Sequence, residues 1–277
     1  MRVNLRIGLV ICVAFNLSSC KILPFDSLNA EKKDQQLLGT ENSTAQMPLL
    51  LELAEAQLKI ATKPELVSCK EKIGLNKEID ALADPTNFGE RMKTDVWNRK
   101  LQSKPMVIVI HETVMSENAT VSFFQTPHYN DANQASYHML ITRSGQRLRI
   151  VPDENRAYGA GMSAFGDVTQ RAKKNSLGSI NNISLHISLV SPEDGRDNRS
   201  SHSGYTAEQY KMLATQTLLW QAKFGIPLTR VTTHEAVDRS HSRYDPRSFR
   251  WEYFDTEYKK TANICDLERF NNDEASI

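Results

Sequence analysis

Neither sign of charge is in excess in this chain. Its 34 lysines and arginines meet 33 aspartates and glutamates, for a net charge of +1, so no broad field draws in nucleic acid or an anionic membrane surface. A membrane-spanning helix needs roughly 20 apolar residues, and no stretch supplies them; the run Ile7–Phe15 is far too short. Internal repeats and low-complexity segments are missing. So is His-Glu-x-x-His, which removes the zinc peptidases that carry that helical signature. Cysteines are few, four in 277 residues, too few for a disulfide scaffold. What is left, with 40% hydrophobic and 24% charged residues, is the composition of one good-sized globular domain plus an arm.

The first twenty residues stand apart. Arg2 and Arg6 flank the start of the apolar run, and Leu17-Ser18-Ser19-Cys20 follows it; a positive start, a short apolar centre and small residues before a junction make an export signal. The ending resembles the lipobox of bacterial lipoproteins, in which the signal, here residues 1–19, is removed and the cysteine, here Cys20, is lipidated. An ordinary secretory signal that contains a cysteine is the other reading. With a lipobox, acyl chains hold the chain to a membrane, each buried CH2 contributing roughly 0.8 kcal/mol, and Lys21 in place of Asp points to the outer membrane, facing the periplasm. Residues 20–47 are polar and read as a tether. Residues 48–99 read as a helical arm. PLLLELAEAQLKIA (48–61) has Pro48 at its first turn and apolar residues at helical spacing, and Lys77–Leu82 is a shorter amphipathic piece ending at Asp84-Pro85. With Cys12 in the signal and Cys20 lipidated, Cys69 and Cys265 remain. They either stay free or, outside the cytoplasm, pair and tie the arm to the end of the chain.

Residues 100–260 read as the catalytic domain and 261–277 as a tail. Met106–Ile110 is an apolar, mostly β-branched run that predicts a strand buried on both faces, and His111 closes it. A helix is expected over Asn118–Gln125. Ser136–Thr142 alternates as a strand, turns at Gly145 and returns over Arg147–Val151. Alternation places Tyr137, Met139 and Ile141 on one face and His138, Leu140 and Thr142 on the other. Ile183–Val190 is a further strand, with His186 and Ser188 sharing a face. Thr206 and Gln209 form a capping box for a helix ending at Phe224-Gly225, and Val231–Thr233 is a short strand delivering His234. Two imidazoles and a carboxylate, His111, His234 and Asp245, can hold Zn2+ at three corners and leave the fourth open, the pattern of a catalytic site. His241 offers an alternative register but sits in a polar loop. Glu112 points away from His111, to a supporting position or to solvent, and His128 and His202 lie in loops, open to substrate or solvent.

Taken in order, His111 at a strand end, SYHMLITRSGQRLRIVPDENRAYGAG, NNISLHISLV and THEAVDRSHSRYDPRSFRW resemble the type 2 zinc N-acetylmuramoyl-L-alanine amidases, relatives of the peptidoglycan recognition proteins. The resemblance covers roughly residues 100–255. It implies an α/β fold, a central mixed β-sheet flanked by helices on both faces with a substrate groove, and hydrolysis of the amide between N-acetylmuramic acid and the L-alanine of the stem peptide. Partners are then peptidoglycan or muropeptides, and the membrane through the lipid; no protein partner is called for. The family's zinc ligands fall on His111, His234 and Asp245. Its oxyanion-steadying lysine falls on Arg243, a cation of different reach. The glutamate that assists water in one branch falls on Ser188; the tyrosine of the other branch falls on Tyr137. Tyr158 takes the place of an aromatic near the family's groove, there for stacking on sugar or peptide of the substrate or for packing. His186, on the face of the missing glutamate, is a candidate for proton transfer or substrate contact, the other reading being a histidine that merely lines the groove or packs beneath it. The other reading is a peptidoglycan-binding protein of the same fold without catalysis, suggested by Arg243 and the absent glutamate; retention of all three ligands speaks against it.

Overall fold

Strong apolar runs become the central strands, and short polar ones are recruited by pairing. A computed structural model describes residues 61–172, 174 and 178–266. The strands are β1 (Ile79–Asp80), β2 (Phe88–Glu90), β3 (Val107–Glu112), β4 (Met139–Ile141), β5 (Arg147–Arg149), β6 (Asn155–Ala157), β7 (Ser184–Leu189) and β8 (Val231–Thr233). The helices are α1 (Lys63–Lys72), α2 (Glu117–Gln125), α3 (Ala207–Phe224), α4 (His234–Val237) and α5 (Trp251–Cys265). Six strands form one sheet in the order β1-β5-β4-β7-β3-β8. Every neighbouring pair is parallel except β4 and β5, the hairpin turned by Gly145 at φ +81°. β2 and β6 pair separately, antiparallel.

β3 shows why the sheet is buried on both sides. Ile108 and Ile110 join Met139, Ile141, Leu185 and Ile187 against α3 and α5, whereas Val107 and Val109 face the opposite layer, with Val237 of α4. On that second face Leu140 packs with Phe124 of α2. Helices therefore cover both faces of a mostly parallel sheet. Thr206 caps α3 as a capping box with Gln209, and Gly225 ends it at φ 70°, where a left-handed backbone suits glycine.

The N-terminal signal, the tether and most of the 48–61 helix lie outside the described residues. What is described of the arm differs from an all-helical reading. Lys77–Leu82 contains the edge strand β1, held by backbone pairing to β5 and by Glu78, which accepts from Arg147 and Arg149 at 2.9 Å each. Helical propensity at this short piece loses to the hydrogen bonds that a sheet edge offers. α1 opens on Thr62 with Pro64 in its first turn, and its Cys69 is bonded to Cys265, the last residue of α5. α5 itself continues past position 260, where a tail was expected to begin.

Candidate metal centre

The C-terminal ends of parallel strands are where an open α/β sheet gathers ligands, and here β3 and β8 end side by side. β3 carries His111 on the Val107/Val109 face. β8 stops at Thr233, whose side chain caps α4, so His234 is the first residue of that helix. Asp245 comes from the following loop, which the Asp238 carboxylate shapes by accepting from the backbone of Ser240, Ser242 and Arg243. Glu235 N–H donates to the Asp245 carbonyl at 3.0 Å and closes the loop on α4.

These three residues form the one group among the described residues whose donor atoms could share a metal ion, all lying within 4.8 Å of one another. His234 Nδ1 is 2.9 Å from Asp245 Oδ1, and His111 Nδ1 is 3.3 Å from Asp245 Oδ2. The second separation is close to the edge of a tetrahedron with bonds of about 2 Å, the geometry of zinc. Although near each other, His111 Nδ1 and Asp245 Oδ2 are not aligned as a hydrogen bond, and both are buried polar atoms without a partner. Such orphaned atoms are costly in an interior unless something joins them. Burial, then the neighbouring charge of His234, lowers His111 to about 4, which leaves its imidazole neutral and able to donate a lone pair at pH 7. Burial would raise Asp245, but the two facing histidines outweigh it and hold the carboxyl well below the usual range. Two imidazoles and an ionised carboxylate fit zinc.

His111 is oriented from behind. Its Nε2 lies 2.9 Å from His186 Nδ1, and the His186 backbone N–H donates to His138 Nδ1 at 3.0 Å. If His111 Nδ1 ligates a metal, its Nε2 must be the protonated nitrogen that donates to His186. On the other side of the donors opens a groove of about 1070 Å3, lined among others by Tyr137, Arg156, Tyr158 and Arg243. The ring of Tyr137 is 4.6 Å from that of His111, and burial, then the Asp245 charge, raises its phenol far above the ordinary value, so it stays a donor. Arg243 is exposed on the groove, yet its charge is felt at both His111 and Tyr137, lowering each.

The sequence profile described as N-acetylmuramoyl-L-alanine amidase, Amidase_2, matches residues 101–248, more than half of the chain. The chain belongs to this amidase family. Among solved structures, a selenomethionine derivative of AmpD is 20% identical with a TM-score of 0.47, covering 66% of this chain and 96% of that one. The solution structure of Citrobacter freundii AmpD is 20% identical with a TM-score of 0.44, covering 68% and 93%. A mutant endolysin from Bacillus subtilis is 18% identical with a TM-score of 0.45, covering 66% and 99%. No curated protein matches the chain.

Several sequence expectations need correction. His186 does not line the groove: it is fully buried behind His111, and burial, then the charge of His111, pushes it well below its ordinary value. Tyr137 breaks the alternation. Ile150 and Val151 N–H both reach the His138 carbonyl, at 3.1 and 3.4 Å, a bulge-like doubling that re-aims the residues before β4. Tyr137 therefore packs beside Phe124, with Leu140, rather than with Met139 and Ile141. His202 is not in solvent; its side chain is buried 3.1 Å from Glu112. His128 is half-buried on the groove, held by Asn87 and by Phe123. His241 is exposed and outside the metal group. Ser188, in register with His111, is buried, and its hydroxyl faces the Tyr137 phenol, which it lowers against the larger effect of burial. Arg247 and Gly159 escaped the sequence reading altogether. Each sits inside or beside a recognised motif, but what it touches is far away in the chain.

Proposed function

We propose that this chain is a zinc-dependent N-acetylmuramoyl-L-alanine amidase that hydrolyses the bond between N-acetylmuramic acid and the L-alanine of the stem peptide. The observation that carries the reading is the pair of unsatisfied buried donors, His111 Nδ1 and Asp245 Oδ2, meeting His234 at the wall of an open groove. Zinc held there by His111, His234 and Asp245 supplies a Lewis acid that activates water and polarises a carbonyl. Tyr137 keeps its proton and offers a hydrogen bond to the oxygen on which charge develops. Arg243 supplies positive charge from the groove edge, in the role its family position implies. Tyr158, with the Arg156 guanidinium 5.4 Å from its ring, presents an aromatic wall against which sugar or peptide can lie.

The decisive experiment incubates the purified protein with muropeptides of several stem types, with zinc and after chelation, and reads the products by mass spectrometry. We expect zinc-dependent release of a stem peptide with a free L-alanine amine, reduced at least 100-fold in Asp245→Ala because one ligand costs most of the metal affinity. Binding without cleavage in zinc-loaded protein would sink the reading.

We also propose that Cys20 carries lipid and that the domain works in the cell envelope at the outer membrane. The Cys69–Cys265 disulfide supports an oxidising compartment. Full-length protein should partition into the detergent phase on Triton X-114 separation and Cys20→Ala into the aqueous phase; equal partitioning refutes the anchor.

A further inference from the structure

Glu112 immediately follows ligand His111, and Arg247 stands two residues after ligand Asp245. Both side chains are buried, Glu112 at 0% and Arg247 at 1% exposure. Arg247 Nε lies 2.5 Å from Glu112 Oε1 and Nη2 lies 3.3 Å from Oε2, while the Arg247 backbone N–H donates to Oε1 at 3.1 Å. Backbone carbonyls take the rest of the guanidinium: Nη1 donates to Asp197 and Arg199 at 2.8 and 2.6 Å, and Nη2 to Gly195 at 2.5 Å. Every N–H of the guanidinium thus has an acceptor. On the carboxylate side, Ser191 Oγ, His202 Nε2 and Tyr205 OH reach Oε2 at 3.0, 3.1 and 3.3 Å. A carboxylate so fully engaged by a buried cation is not available as a catalytic base, so its conspicuous position beside a ligand needs another account.

We propose that the Glu112–Arg247 pair is a positioning brace for the metal centre, locking the end of β3 to the loop that carries Asp245 and so presetting the spacing of two ligands from different parts of the chain. The inference rests on the zinc reading above. Bidentate Arg–carboxylate pairing fixes direction as well as distance, and a lysine at 247 has one point charge with which to replace a five-donor fork. A preset site binds its ion more tightly because less ordering remains to be done on binding.

The test measures zinc dissociation constants by chelator competition, the visible absorption of the cobalt-substituted protein, and the melting temperature of the metal-free full chain. In Glu112→Gln and Arg247→Lys we expect zinc affinity to fall about 10- to 100-fold, the range for residues that orient metal ligands, with altered cobalt bands. Tyr205→Phe removes a single long hydrogen bond to Oε2 and is expected to lose about twofold or more in affinity; it decides the matter by the same criterion if the first two variants do not fold. A pair that serves the fold alone would lower the metal-free melting temperature and leave zinc affinity and the cobalt spectrum unchanged, and that result overturns the brace. Failure of the unsubstituted chain to bind zinc overturns the zinc reading itself and the brace with it.

Discussion

Gly159 shows how a single absent methyl group serves the candidate metal centre. A Cβ at this position would stand 2.5 Å from His186 Cγ and 2.6 Å from His186 Nδ1, closer than a side chain can approach an imidazole. The same Nδ1 is the atom that meets His111 Nε2. Alanine at 159 must therefore push His186 off the nitrogen that orients a metal ligand, and the sheet leaves it nowhere to go because His186 is fully buried. Gly159→Ala is expected to destabilise the metal-free protein by about 1–3 kcal/mol, the usual cost of overpacking, and to weaken zinc binding about 10-fold or more. Urea unfolding and chelator competition read the two effects separately. Unchanged zinc affinity would mean that His186 fills space behind His111 without orienting it.

Elements differ in how openly the sequence declares them, and the difference follows where their stability comes from. β3 is legible because both of its faces are apolar, and α3 because its capping box and its terminal glycine are local signals. β1 has only two residues, both exposed, and is a strand because β5 pairs with it; no local pattern could say so. α5 carries a readable stripe, Trp251, Phe254, Tyr258 and Cys265 all being buried. At the site, His111, His234 and Asp245 could be named because the family motif fixes them in order. The bond between Glu112 and Arg247 spans 135 positions and leaves only a hint, a carboxylate following an apolar run, which a buried strand end tolerates only with a partner. Cys69 and Cys265, 196 residues apart, join α1 to α5 in the same way: a loop that long gives on the order of 5 kcal/mol in the chain-entropy model, an upper figure, enough to fix an arm that buries little surface of its own.

The whole molecule carries one consequence of having built its sheet around neutral histidines. His111 from β3, His186 from β7 and His138 just before β4 are all fully buried. Burial, then the charge of His234, lowers His111 to about 4; burial, then the charge of Arg91, lowers His138 to about 3; His186 is pushed well below its ordinary value. In the unfolded chain each takes a proton near 6.5. Between about pH 6.5 and pH 4 the unfolded state therefore binds protons that the folded state refuses, so stability is present above 6.5 and is lost as pH falls through this window. Each histidine contributes a slope of up to about 1.4 kcal/mol per pH unit, and together they outpace the ion-paired carboxylates, which titrate lower. Thermal or urea unfolding of the metal-free protein between pH 7.5 and 4.5 should show a steep decline beginning near 6.5. His138→Asn, which removes one of the three buried imidazoles without touching a metal ligand, should flatten that decline by about a third. A stability that holds level down to pH 4.5 would show that the interior accepts protonated histidines, and the neutral, lone-pair-bearing state assigned to His111 at the metal centre would fall with it.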